Sequence, residues 1–91
     1  MLNPEYSKQF KKDFKRAEKR GLKMDDIKTV MRRLAIGERL EPKFRDHVLK
    51  GEYQGFGECH IHSDWLLIYL KDEARGTIIF VRTGSHSDLF E

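Results

Sequence analysis

Two hydrophobic spacings divide this chain. In the segment from Ser7 to about Arg20, Phe10, Phe14 and Ala17 recur every three or four residues, which puts them on one helix face. Ser7 suits the N-cap of that helix, and Gly21 can take the left-handed conformation that ends it. A second helix is predicted from Asp25, as its cap, to a point before Gly37, with Ile27, Val30, Met31 and Leu34 as its apolar face. The spacing then changes to that of strands. His47-Val48-Leu49 predicts a short strand before Gly51. Over residues 56–62, alternation points Cys59 and Ile61 one way and Glu58, His60 and His62 the other. Ser63-Asp64 turns the chain into a buried strand over 65–70, and residues 72–76 form a hairpin loop into a strand over 77–82. Two helices followed by an antiparallel meander predict an α+β fold, with the helices packed on one face of a twisted antiparallel sheet. The other face would carry Glu58, His60 and His62. The pattern leaves open whether residues 1–5 add a strand.

Length and composition narrow the class. Ninety-one residues surround one hydrophobic core, so a single domain over 1–91 is expected. The longest apolar runs, Trp65 to Leu70 and Ile78 to Val81, are far short of the roughly 20 residues of a membrane helix. No apolar stretch follows a basic region at the N-terminus, so no secretory signal is expected. The one cysteine, Cys59, excludes an internal disulfide and suits a reducing compartment. The expectation is a cytoplasmic domain without a membrane partner.

Charge separates the halves. Residues 1–50 hold 15 Lys or Arg against 8 Asp or Glu, net +7; residues 51–91 hold 3 against 7, net −4. The basic half predicts a polyanionic partner. Lys8, Lys12, Lys15 and Lys19 form a stripe along the first helix, suited to an RNA backbone, although such stripes are ordinarily solvated faces.

The acidic half carries the proton chemistry. His60, His62 and His86 lie within it and His47 at its border, with Glu58, Asp64 and Arg82 interspersed. Imidazoles exchange protons near neutral pH. RNA cleavage without a metal needs a base for the ribose 2′-hydroxyl, a cation for the phosphoryl oxygens and an acid for the departing 5′ oxygen. His60-x-His62 is also a metal-ligand spacing, but no Cys-x-x-Cys or His-Glu-x-x-His accompanies it, so neither metal nor cofactor is expected. From residue type alone, Cys59 and Trp65 read as core residues and Phe90 as a packing plug for the tail.

Three blocks, Asp46 to Gly51, Glu58 to Trp65 leading into Leu67-Ile68-Tyr69, and Arg82 to Phe90, resemble the YafQ-type toxins of the RelE superfamily in order and spacing. The resemblance implies the RelE-type fold and endonucleolytic cleavage of mRNA in the ribosomal A site, restrained by a cognate antitoxin. It implies an active site of His47, His60, Asp64 and His86, with Arg82 holding the scissile phosphate and Trp65 and Phe90 as aromatic members. His86 would be the acid, His47 or His60 the base, and Asp64 the residue that orients one of them. Glu58 stands where an aspartate can occur, as a supporting residue, and His62 falls outside the set. The rival reading is a non-catalytic RNA- or ribosome-binding module of the same fold, which would have no use for His47, His60, Asp64 and His86 together.

Overall fold

A computed structural model describes residues 1–90. Strand β1 (Asn3–Tyr6) leads into α1 (Lys8–Lys19) and α2 (Met24–Ala35), and a 3-10 turn over Pro42–Phe44 precedes β2 (His47–Val48). A second 3-10 turn, Gly51–Tyr53, leads to β3 (Gly57–His62), β4 (Trp65–Asp72), β5 (Thr77–Gly84) and the short helix α3 (His86–Phe90). The sheet order is β1-β5-β4-β3-β2. The expected meander is there, but β1 joins β5 in parallel, so the sheet is mixed rather than wholly antiparallel.

Ser7 caps α1: its hydroxyl accepts from the Phe10 N–H at 2.9 Å and donates to the Val81 carbonyl at 2.7 Å. One side chain therefore starts the helix and fastens it to β5. Helix α2 corrects the second expected cap. Lys23 is its N-cap, without a side-chain bond, and Asp25 lies in the first turn, where with Asp26 it complements the helix dipole.

Phe10, Ala17, Ile27, Val30, Met31 and Leu34 bury against one sheet face, with Cys59, Ile61, Trp65, Leu67, Tyr69, Ile78 and Phe80. The opposite face is not bare. Leu66 and Ile68 are covered by Leu89 of α3, with Leu49, Tyr53, Phe56 and Val81 packed around them. This second, smaller cluster seats α3, a helix where the sequence pattern predicts only a tail with Phe90 as its packing plug.

A register shift in β3 corrects the placement of His62. His60 lies opposite Leu66 and His62 opposite Trp65, so Ile61 is an extra residue in the ladder. Such a bulge breaks the alternation. His60 stays on the α3 side with Glu58, while His62 turns to the helix side, where its Nε2 meets Asp26 Oδ2 of α2 at 2.7 Å.

Candidate active site

The α3 face of the sheet gathers most of the expected site. Cross-strand register sets His47 of β2 directly opposite Glu58 of β3. Glu58 is buried, and its Oε1 lies 3.4 Å from His47 Nε2 and 3.8 Å from His60 Nε2. The other nitrogen of His47, Nδ1, is 2.5 Å from the Arg45 carbonyl. A carbonyl only accepts, so Nδ1 carries a proton and Nε2 faces the carboxylate.

His86 comes to the same face from the first turn of α3, just after β5. Its backbone N–H donates to Asp64 Oδ1 at 3.0 Å, and Nδ1 lies 2.8 Å from the same oxygen. Those two contacts hold the Asp64 carboxyl below the usual carboxylate range, so it remains an anion at neutral pH. With Nδ1–H committed to Asp64, the proton that His86 exchanges with a substrate is on Nε2. The His60 and His86 rings lie 5.8 Å apart, and Phe90 flanks His86 at 6.4 Å. Burial pushes the His60 imidazole below its ordinary value, with Glu58 opposing and the charge of Arg45 adding to it. His60 is therefore neutral at pH 7, the form that accepts a proton.

Helix α3 is held in place by charge. Arg20 Nη1 donates to Asp88 Oδ2 at 2.7 Å, Arg20 Nη2 to Asp88 Oδ1 at 3.2 Å, and the Ser85 N–H to Asp88 Oδ2 at 2.9 Å. These contacts hold the Asp88 carboxyl well below the usual carboxylate range. Gly84 makes the approach possible, since a Cβ there would stand 2.9 Å from the Asp88 carboxylate.

Arg82 lies opposite Ile68, itself opposite Glu58, so it is in the same cross-strand row as His47 but two strands away from Glu58. Its Nε donates to Asp13 Oδ2 at 2.7 Å, and Tyr53, edge-on to Phe90, gives it a lesser contact. Asp13 was missed in the sequence. Its side chain is fully buried and also accepts from Arg16 at 2.9 Å, from Gln9 at 3.0 Å and from the Thr83 N–H at 3.1 Å. Beyond Phe80 strand β1 has ended, so this edge of β5 depends on α1 for partners. A sequence signal existed: Asp13 sits within the apolar stripe of Phe10, Phe14 and Ala17, where an unpaired charge would be costly.

Trp65, expected as an aromatic member of the site, lies on the helix side of the sheet. It is 3% exposed in the helix-side core, and its Nε1 donates to Thr83 Oγ1 at 3.0 Å. It follows Asp64 directly in the chain, and the His62 ring stacks on it at 5.9 Å. Phe90 is half exposed beside His86 and open to a ligand. Lys8, Lys12, Lys15 and Lys19 are all exposed on α1, whereas Arg16 and Arg20 of the same helix are engaged by Asp13 and Asp88.

Next to His60 and His86 opens a cleft of about 710 Å³, bounded by α2, the end of β3 and the 43–45 turn, with Lys43, Phe44 and Arg45 in its wall. The same cleft is lined by His62 and Asp26, so three imidazoles, a carboxylate and the cations Lys43 and Arg45 surround it, an arrangement suited to moving protons beside a phosphate.

The profile describing the bacterial toxin of type II toxin–antitoxin systems, YafQ, matches residues 2–91. The chain belongs to the YafQ family. The mRNA interferase toxin YafQ of Escherichia coli K12 is 40% identical over 88 residues, covering 94% of this chain and 92% of that protein. The YafQ chain in the E. coli DinJ–YafQ complex superposes with a TM-score of 0.91 at 36% identity, covering all of both chains. A metal-bound toxin from Helicobacter pylori superposes with a TM-score of 0.93 at 43% identity, covering 99% of this chain and all of that one. The α+β fold is thus the YafQ fold, and the chain is a toxin of the type II class. Among the described residues, no helix is long and apolar enough to cross a membrane.

Proposed function

We propose that this YafQ-family toxin is an endoribonuclease that cuts mRNA in the ribosomal A site by metal-free acid and base catalysis. The observation that carries the reading is the facing pair of His60 and His86, 5.8 Å between rings, one largely buried and neutral, the other oriented by Asp64. His60 takes the proton of the ribose 2′-hydroxyl as the 2′ oxygen forms its bond to phosphorus. The bond from phosphorus to the 5′ oxygen breaks, and His86 Nε2 gives that oxygen a proton. The products end in a 2′,3′-cyclic phosphate and a 5′-hydroxyl. Glu58, between His47 and His60, orients both imidazoles, and Arg82 faces the phosphate from the Phe90 side.

The H. pylori relative is metal-bound, so a chelator belongs in every cleavage assay. Among the described residues, no group of three or more His, Cys, Asp or Glu is arranged to hold a metal ion. The E. coli relative is complexed with DinJ, which supports a cognate antitoxin for this chain as well. Such a partner would act in the cytoplasm and present an acidic segment to the positive surface near Arg82 or the helices. Mapping mRNA 5′ ends in cells after induction tests the reading: cuts should fall in frame within translated regions. Their absence, with the chain expressed and folded, would favour the non-catalytic binding module.

The lysines of α1 have a separate expected role. Replacing Lys8, Lys12, Lys15 and Lys19 by glutamine should weaken ribosome binding and flatten its dependence on salt, since phosphate contacts release counterions. Codon preference should be unchanged. A binding titration at several salt concentrations checks this, and identical slopes would make the stripe a solvated face.

A further inference from the structure

Arg45 stands out twice. Among the described residues it is the one non-glycine residue with positive φ, at φ 48° and ψ 44°, where it ends the Pro42–Phe44 turn. Residues held in the left-handed region without a glycine's freedom cluster at ligand sites. Its backbone has a visible task there, because its carbonyl fixes Nδ1 of His47. Its side chain, like those of Arg32 and Arg39, has no carboxylate partner among the described residues, whereas Arg16, Arg20, Arg33, Arg75 and Arg82 each have one. Of the three without a partner, Arg45 alone lines the cleft of His60 and His86.

We propose that Arg45 is a second cationic residue of the active site, contacting the scissile phosphate in the cleft between His60 and His86. This rests on the ribonuclease reading above. Two arginines then bracket the histidines. Arg82 closes the Tyr53 and Phe90 side with its charge largely offset by buried Asp13, and Arg45 closes the cleft side with its charge uncommitted. In the transition state, negative charge grows on the non-bridging phosphoryl oxygens, and an unpaired guanidinium offers two parallel N–H donors to them. The fork forms and breaks no covalent bond. The proton still passes from the 2′-hydroxyl to His60 and from His86 to the 5′ oxygen. The left-handed turn gives one residue both tasks: its carbonyl sets the His47 tautomer while its side chain reaches into the cleft.

The conformation also supplies the variant that separates these tasks. Asparagine tolerates the left-handed region, so Arg45→Asn keeps the carbonyl on His47 and removes only the cation. The test is single-turnover cleavage of an mRNA programmed in the ribosome, at saturating toxin, for wild type, Arg45→Asn, Arg45→Lys and the control Arg39→Gln. The His60 titration of the free proteins is followed in parallel by NMR. Arg45→Asn should lower the cleavage rate by about 10²-fold, within the range for losing one preorganised electrostatic group. Arg45→Lys should recover part of it, and Arg39→Gln should match wild type. The His60 titration should move upward in Arg45→Asn, because a cation that disfavours its protonated form is gone. A rate within threefold of wild type at saturation, a loss confined to binding, or an unmoved His60 titration would overturn the assignment. If the wild type itself leaves the mRNA intact, the ribonuclease reading fails instead, a separate result.

Discussion

Replacing either His86 or His60 with alanine is expected to lower mRNA cleavage by about 10²-fold or more, the scale of losing a positioned acid or base. His86 has its ring set by Asp64 at 2.8 Å and its backbone set by the same carboxylate, so its Nε2 proton is delivered from a fixed place. His60 is largely buried beside Glu58, and burial keeps it in the proton-accepting form. His62 is the internal control. The bulge at Ile61 turns it to Asp26 at the α2 wall of the cleft, where that carboxylate engages its Nε2, so His62→Ala should cost far less despite being two residues from His60. Circular dichroism establishes folding of each variant, and single-turnover cleavage gives the rates. Equal losses at His60 and His62 in folded proteins would mean that the pair has been divided wrongly.

Asp13→Ala should be the most destabilising change in α1, by about 3–5 kcal/mol, as expected when one partner of a buried ion pair is removed. The carboxylate has no exposed side-chain surface and accepts from Gln9, Arg16, Arg82 and the Thr83 N–H. Its loss strands a donor on the edge of β5 and leaves the one-fifth-exposed Arg82 side chain without its counter-ion. Asp13→Asn should cost less, since an amide oxygen still accepts from one of these donors. Urea unfolding measures both. A loss below about 1 kcal/mol for the alanine variant would mean that solvent replaces the carboxylate and that the cluster is an ordinary surface pair.

Much of this fold was legible because periodicity and capping agree. Ser7 and the Phe10, Phe14, Ala17 spacing fix α1, and the apolar runs after Asp64 fix β4 and β5. The candidate site was legible as a set of residue types, and its gathering of His47, Glu58 and His60 follows from alternation once β2 and β3 pair. What was hidden depends on contacts distant in sequence. Helix α3 has five residues with Leu89 alone buried, too short for a helical period. The bulge at Ile61 leaves no mark in composition, so His62 was assigned to the wrong face. The start of α2 was misplaced because Lys23 makes no side-chain cap. Parallel pairing of β1 with β5 connects residues about seventy positions apart, and Asn3, Pro4, Glu5 and Tyr6, all exposed, give no face to read. Asp13 was visible as a charge in an apolar stripe, but its partner Arg82 lies 69 positions away.

The central claim is that the ribose 2′-hydroxyl is the nucleophile and that side chains of this protein, not a bound ion, move the protons. The most direct test is a ribosome-programmed mRNA carrying a single 2′-deoxyribose at the mapped cut site, compared with the all-ribose message. The toxin is first stripped with a chelator and then dialysed. The account predicts that the stripped toxin cuts the all-ribose message at its full rate, leaving 2′,3′-cyclic phosphate or 3′-phosphate ends, and leaves the deoxy message intact. Efficient cutting of the deoxy message, or activity lost on stripping and restored by zinc or copper, would contradict it.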